Sequence, residues 1–187
     1  MRKMLLMAAL AASLLCGLVS GSSKGQEETG VAAAPVSKGV IKVTINTGGG
    51  MYGPVKSQFE VGEDIPITIS MTNTSDKPAK YCMSTSLFQN RPRLKTDGQL
   101  LPYLTNLPAQ VEGKEAVQRC EGSAARQFYE LQPKQTRVVD WFKISQMGIA
   151  WYKALPVGHY ELVVLRRVEC CQGAWLESNK VTFEVVP

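Results

Sequence analysis

The chain has 187 residues, of which 44% are hydrophobic and 20% charged, and its formal net charge at pH 7 is +5. This length suits one domain that buries a hydrophobic core. Because the basic residues are scattered among acidic ones, with no long run of like charges, the composition argues against a nucleic-acid-binding protein.

The N-terminal residues have the pattern of an export signal. Arg2 and Lys3 give a positive start, and residues 4–15 form an almost purely apolar stretch that is too short to span a bilayer comfortably. We expect cleavage after Gly21, with Val19 and Gly21 as the small residues near the cut. Residues 1–21 are therefore predicted to be a signal peptide. The mature protein is predicted to be periplasmic or extracellular, and its net charge is lower by two.

An alternative interpretation makes Cys16 the lipidated residue of a bacterial lipoprotein, because the apolar run ends in a cysteine that is followed by glycine. A lipobox has a small residue immediately before its cysteine, whereas Leu15 stands there in this chain. Attachment to a membrane is expected only in this alternative.

Residues 22–39 are predicted to form a flexible linker. They are rich in glycine, serine, alanine, glutamate and proline, and they include no aromatic residue. That is the composition of a solvated tether rather than of a packed segment. The remaining residues, 40–187, are predicted to form one folded domain.

The domain shows the alternation of half-buried β-strands, in which every second residue is apolar. In 40–46, for example, Ile41, Val43 and Ile45 share one face. Nine segments have this character, and no long segment has a helical period. We therefore expect an antiparallel β-sandwich of eight or nine strands. The predicted strands are 40–46, 65–72, 80–85, 91–96, 99–103, 127–131, 137–144, 160–164 and 181–185.

Turn signals separate these strands. Asp97-Gly98 is the strongest hairpin signal, because it lies between two strand-like segments. Residues 73–78 combine asparagine, serine, aspartate and proline, which favour a turn. Between Thr105 and Ala125 the strand pattern weakens, and we expect a long loop insertion there.

Several phrases between residues 59 and 186 resemble those of bacterial immunoglobulin-like domains. They are Val61-Gly62-Glu63, Asn73-Thr74-Ser75-Asp76, Leu131-Gln132-Pro133-Lys134-Gln135-Thr136, Leu155-Pro156-Val157-Gly158-His159-Tyr160 and Ser178-Asn179-Lys180-Val181-Thr182-Phe183. The segment is also loosely similar to the domain of the BsuPI-type proteinase inhibitors. The resemblance implies an immunoglobulin-like sandwich, and it adds protease inhibition as an alternative function, carried by the 105–125 loop.

Four cysteines remain after the predicted signal peptide: Cys82, Cys120, Cys170 and Cys171. An even number in an oxidising compartment predicts structural disulfides. In an extended segment the adjacent Cys170 and Cys171 point to opposite sides, so each meets a separate partner more readily than its neighbour.

In the implied immunoglobulin-like topology, the strand of Cys82 lies beside the strand that ends near Val168, which brings Cys82 to the Cys170-Cys171 doublet. Cys120 is then expected to reach the remaining thiol. The alternative is a Cys82–Cys120 bond with the doublet either bonded to itself or unpaired. No metal or cofactor is expected, because the chain has no Cys-x-x-Cys motif and a single histidine, His159.

Catalytic motifs are missing from the sequence: there is no serine-hydrolase elbow, phosphate-binding loop or paired acidic motif. Trp151, Tyr152 and Trp175 lie near predicted turns and are candidate ligand contacts, with packing at the ends of the core as the alternative. Trp141, inside a predicted strand, is expected to pack. The sequence thus predicts a non-catalytic binding or structural module for an extracytoplasmic protein or glycan.

Overall fold

A computed structural model describes residues 39–104, 107, 120, 122, 126–145, 151–170 and 172–187. The predicted signal peptide and nearly all of the predicted linker lie outside these residues. Within them the chain is all-β, as the sequence predicts. Its eleven strands are β1 (Ile41–Thr47), β2 (Gln58–Glu60), β3 (Pro66–Asn73), β4 (Ala79–Met83), β5 (Asn90–Thr96), β6 (Gln99–Leu100), β7 (Gln127–Leu131), β8 (Thr136–Lys143), β9 (Gly158–Glu169), β10 (Gln172–Glu177) and β11 (Val181–Val186).

Two short helical elements accompany the strands. A 3₁₀ turn, Gly50–Tyr52, follows β1, and a four-residue helix, α1 (Ser86–Gln89), connects β4 to β5. Neither was predicted, because both are too short to display a helical period. No helix in the described part of the chain is long and apolar enough to cross a membrane.

Strands β1, β3 and β8 form an antiparallel sheet in that order. One face is apolar because the strands alternate: Ile67, Ile69 and Met71 of β3 are fully buried. Pro66 is the first residue of β3, where no ladder hydrogen bond from its nitrogen is needed. The register of β3 with β8 shifts between Ile69 and Ser70, which marks a β-bulge at Val139.

A six-stranded sheet has the order β2-β11-β9-β5-β6, and β10 also pairs with β9. Its pairings are antiparallel except that of β11 with β2. The hairpin between β5 and β6 turns at Asp97 and Gly98, both with positive φ, which confirms the predicted turn. Strands β4 and β7 pair separately as a third, two-stranded sheet.

The inward faces of the sheets contribute to a single hydrophobic cluster. It contains Ile45 and Ile69 from the three-stranded sheet and Leu162, Val164 and Phe183 from the six-stranded sheet. The predicted shared face of Ile41, Val43 and Ile45 in β1 is therefore confirmed, because all three side chains are buried.

The predicted turn after β3 is held by Asn73, which is fully buried. Its Nδ2 donates to the carbonyl oxygens of Lys77, Leu131 and Gln132 at 2.7, 3.0 and 3.2 Å, and its Oδ1 accepts from the Ser75 nitrogen at 3.0 Å. The side chain thus replaces backbone partners that the turn itself cannot supply.

Three features of the fold differ from the predictions. There are eleven described strands rather than eight or nine, because β2 and β10 were not predicted; β2 has only three residues, too few to show alternation. The segment after Cys171 is a strand, β10, and not only a turn. Trp141, which was expected to pack, is 45% exposed; the bulge at Val139 places both Val138 and Trp141, three residues apart, on the outer face of the sheet.

Candidate functional site

The cysteines form a buried structural cluster. Cys82 of β4 is bonded to Cys170, which directly follows β9, and their Cα atoms are 5.0 Å apart. Cys120 lies in the same buried cluster and is also disulfide-bonded. Its predicted pairing involves the doublet, of which Cys171 lies outside the described residues, as does Cys16. The cluster therefore joins distant parts of the chain and is not a reactive-thiol site.

A second buried cluster is polar and centres on Arg166. The guanidinium is fully buried, and its Nη1 donates to Asp140 Oδ2 and to Asn90 Oδ1, both at 2.8 Å. Asp140 Oδ1 also accepts from Ser86 Oγ at 2.6 Å and from the Trp141 nitrogen at 2.8 Å. These hydrogen bonds and the ion pair connect residues of β5, β8, β9 and α1, so the network fixes these elements relative to one another.

Two of the three predicted ligand contacts are core residues. Trp151 is fully buried and Tyr152 is 3% exposed. The Tyr152 hydroxyl donates to the Pro92 oxygen at 2.8 Å and accepts from the Leu94 nitrogen at 3.1 Å, and burial raises its pKa well above the ordinary value. Neither side chain presents a face to solvent, so both have the packing role that the sequence left as the alternative.

The third, Trp175, lies on β10 and is half-buried. The guanidinium carbons of Arg167 and Arg91 are 4.5 and 4.8 Å from its ring centroid, and Arg91 is also 5.6 Å from the Trp151 ring. These cation–π contacts occupy the indole, so Trp175 stabilises the β9–β10 hairpin rather than offering a free ring.

A pair of aromatic residues lies instead on the outer face of the three-stranded sheet. The rings of Trp141 and Tyr52 meet edge to face, with centroids 5.3 Å apart and an interplanar angle of 76°. Met51, beside Tyr52, is 71% exposed. Sequence reasoning missed this pair because Tyr52 comes from a loop and Trp141 follows the bulge.

A cavity of about 260 Å³ adjoins this pair. Tyr52 and Phe59 line it together with four charged side chains, in two ion pairs: Lys143 with Asp64 at 2.5 Å, and Lys56 with Glu63. Trp141 does not itself line this cavity, but its ring contacts Tyr52, which does. We call Tyr52, these four charged residues and the neighbouring Trp141 the aromatic pocket. It has an aromatic wall and both hydrogen-bond donors and acceptors.

The charges of the aromatic pocket are fixed by its own contacts. The hydrogen bond to Asp64 raises the pKa of Lys143, and the hydrogen bond from Lys56 lowers the pKa of Glu63. Burial raises the pKa of Tyr52, so its hydroxyl stays neutral at physiological pH. These contacts therefore favour the charged forms of Lys143 and Glu63.

Gly48, in the glycine segment 48–50, forms part of the wall of the aromatic pocket. The segment folds over the outer face of β3, where the Gly48 nitrogen donates to the Pro66 oxygen and Thr68 Oγ1 donates to the Gly48 oxygen, both at 2.7 Å. This contact buries Thr68, although the residue lies on the same outer face as Trp141. The wall is preformed by these hydrogen bonds.

Two other cavities are less promising. One, of about 550 Å³, is a wide depression that includes His159, whose side chain is 83% exposed and 3.6 Å from Glu184. The other, of about 480 Å³, is apolar and is lined by segments around Tyr103 and Leu155. Among the described residues no group of three or more His, Cys, Asp or Glu side chains is arranged to hold a metal ion.

No protein-family model matches the chain, and no curated protein matches it. Among solved structures, it is similar to the Pseudomonas fluorescens alkylpurine DNA glycosylase AlkC bound to DNA containing an abasic site analog, with 13% identity and a TM-score of 0.35. The match covers 81% of this chain and 32% of the glycosylase, so the chain spans about a third of that protein. A likeness this weak carries no argument about fold type or activity.

Proposed function

We propose that this chain is an exported, non-catalytic binding module built on an immunoglobulin-like β-sandwich. The observation that carries the proposal is the aromatic pocket, in which Trp141 remains 45% exposed beside Tyr52 on a rigid sheet. Exposed aromatic side chains held by a sheet are a common means of binding, because they offer apolar area at a small cost in conformational entropy.

Three features support the immunoglobulin-like assignment. The three-stranded antiparallel sheet and the mostly antiparallel six-stranded sheet share one core, short strands are joined by tight turns, and a disulfide connects β4 to the end of β9. Export is supported by the same disulfide and by the N-terminal signal pattern, because disulfides persist in oxidising compartments.

Binding rather than catalysis is supported by the way the charged groups are used. Arg166 and Asp140 are committed to the buried network, and His159 is solvent-exposed at the edge of a wide depression. Lys56 and Lys143 are ion-paired, so neither is a free base for proton transfer.

A capture experiment tests the proposal. The mature protein is immobilised and exposed to periplasmic and cell-envelope extract, in parallel with Trp141→Ala and Phe128→Ala. Phe128 is 69% exposed on β7 and serves as the matched aromatic control. We expect wild type and Phe128→Ala to retain the same component and Trp141→Ala to lose it. Equal retention by all three proteins would contradict the proposal.

Protease inhibition through the 105–125 segment is the second candidate. Leu107 and Cys120 are 4% and 1% exposed, and Cys120 is disulfide-bonded, so the segment is anchored at two positions, as inhibitory loops are. A panel of secreted proteases separates the two functions. Stoichiometric inhibition that is lost when the 105–125 segment is cut would favour the inhibitor.

A further inference from the structure

We infer that the aromatic pocket binds a neutral carbohydrate, with one sugar ring stacked on Trp141 and its hydroxyl groups bonded by the charged residues. This inference rests on the proposed binding function and names its ligand class. The reasons are the open indole, the balanced charge of the pocket, its size and the polar surface that continues from it.

The indole of Trp141 has a free surface for stacking. It meets Tyr52 edge to face, which stabilises both rings without stacking one on the other. Trp175, by contrast, has arginine guanidinium groups 4.5 and 4.8 Å from its ring, and Trp151 is fully buried. Of the three tryptophans, Trp141 alone offers its ring to a ligand from solvent.

Charge balance favours a neutral ligand. Each lysine of the pocket is paired with a carboxylate, so an anionic phosphate or lipid headgroup gains no net attraction. A polyhydroxyl ligand needs both signs, since each hydroxyl donates to a carboxylate oxygen and accepts from an ammonium group. Lys56, Lys143, Glu63 and Asp64 provide these partners around one cavity.

The size of the pocket favours a small ring rather than a protein. Its volume of about 260 Å³ is below the range of roughly 300–1,000 Å³ for sites that enclose drug-sized ligands. A stable protein interface buries about 800 Å² on each partner and has an apolar centre. Four ionic side chains around so small a cavity do not form such a centre.

Beyond Val138, the exposed residue that precedes Trp141 on the outer face of β8, the sheet surface is polar and extends the site. Cross-strand rows place Thr44 beside Ser70, and Thr72 beside Thr136, on the outer face. The Thr72 and Thr136 hydroxyl oxygens are 2.8 Å apart. Hydroxyl-bearing side chains along the strands suit further sugar units of an oligosaccharide better than an apolar partner.

The test is a titration of the folded domain with soluble neutral oligosaccharides based on glucose, xylose, mannose and N-acetylglucosamine. Binding is measured by calorimetry, with saturation-transfer NMR to identify the sugar protons in contact. We expect at least one series to bind. Trp141→Ala should weaken that binding at least tenfold, Trp141→Phe should weaken it less, and Phe128→Ala should leave it unchanged. Thermal unfolding confirms that each variant is folded.

The outcomes separate the two proposals. If no neutral saccharide binds, or if Trp141→Ala binds as wild type does, the carbohydrate assignment is overturned. If an extract component is still lost with Trp141→Ala while every saccharide fails, the binding module stands and its ligand is of another class. An acidic oligosaccharide or phosphate that binds at this pocket more tightly than all neutral sugars also overturns the assignment.

Discussion

Arg166 shows how one residue organises the interior. The alternation of β9 places positions 160, 162, 164, 166 and 168 on the inward face, and the fourth of these is an arginine. A buried cation requires a partner, since burial of an unpaired charge is very costly. Asp140 supplies it because the register pairs it with the inward-facing Ile69. Extending the alternation beyond Val164 in the sequence would have revealed the buried arginine, although not its partner.

Removal of this partner is the first prediction. Asp140→Asn preserves the shape of the side chain but leaves Arg166 buried without a counter-charge, and we expect the free energy of unfolding to fall by about 3–5 kcal/mol. Asp76→Asn is the control, because Asp76 pairs with Lys134 in an exposed bridge and should matter little. Urea unfolding measures both. Equal stability of the two variants would show that the buried network is not essential.

The pH dependence of ligand binding is the second prediction. The pKa of Glu63 is lowered in the folded protein, so its pair with Lys56 is complete above the ordinary glutamate value and is lost as the pH falls through the lowered one. Raised pKa values keep Tyr52 neutral and Lys143 charged at alkaline pH. Binding should therefore be constant between about pH 5 and 9 and weaken in acid.

Calorimetric titrations across that range test this expectation. Glu63→Gln is the control, because it cannot titrate and should remove part of the acid response. A binding constant that instead changes near neutral pH would contradict this account of the aromatic pocket.

At the scale of the elements, the strands were predictable and their irregularities were not. Alternation of side chains identified β1, β3, β9 and β11 because each follows one parity from end to end. In β8 the bulge at Val139 changes the parity, so the face of Trp141 depends on the pairing with β3 and not on the local sequence. Strand β10 was not recognised because it is irregular. It contains Gly173, which has a φ of +85°, and its pairing with β9 shifts register between Gln172 and Trp175.

The edge of β1 leads to the third prediction. The side chain of Asn179 accepts from the Ile45 nitrogen at 2.7 Å and donates to the Ile45 oxygen at 3.1 Å, so it pairs with the strand as a neighbouring strand would. Asn179→Ala leaves both backbone groups unpaired and should destabilise the protein by about 1–3 kcal/mol. Asn179→Asp keeps only the hydrogen-bond acceptor, so its free energy of unfolding should lie between those of wild type and Asn179→Ala.

Hydrogen exchange at the Ile45 amide provides a local measure for these two variants, beside urea unfolding. We expect faster exchange in the order wild type, Asn179→Asp, Asn179→Ala. Unchanged protection in Asn179→Ala would mean that the edge of β1 does not depend on this side chain.

The loop that follows β1 gives the fourth prediction. Gly48 has a φ of +77°, and a Cβ there would lie 2.5 Å from the Pro54 oxygen. Gly53 has a similar φ of +83° but open space around it. Both alanine variants incur backbone strain of about 1–3 kcal/mol. Only Gly48→Ala adds a steric clash with the backbone. It should therefore be less stable than Gly53→Ala, and it should also lose ligand binding. Equal effects of the two variants would contradict this account of the loop.

At the scale of the whole molecule, the sequence could predict that aromatic side chains contact a ligand, but it could not predict which aromatic residues do so. The sequence named Trp151, Tyr152 and Trp175 as candidate ligand contacts, yet the fold buries Trp151 and Tyr152 and exposes Trp141, which was expected to pack. The aromatic pocket combines the loop after β1, the start of β3 and the end of β8. Residues so distant in the chain converge only through the pairing order of the sheet, which single-sequence patterns do not contain.

The disulfide between Cys82 and Cys170 gives the last prediction. It joins residues 88 positions apart, so it restricts the unfolded chain strongly, and its loss should cost about 2–5 kcal/mol. We expect Cys82→Ala/Cys170→Ala to unfold at lower urea concentration than wild type. A reductant should destabilise wild type further than it destabilises the double variant, in which only the bond of Cys120 remains among the described cysteines. If wild type and the double variant unfold together, the bond does not stabilise the fold, and the argument from it for an oxidising compartment loses its support.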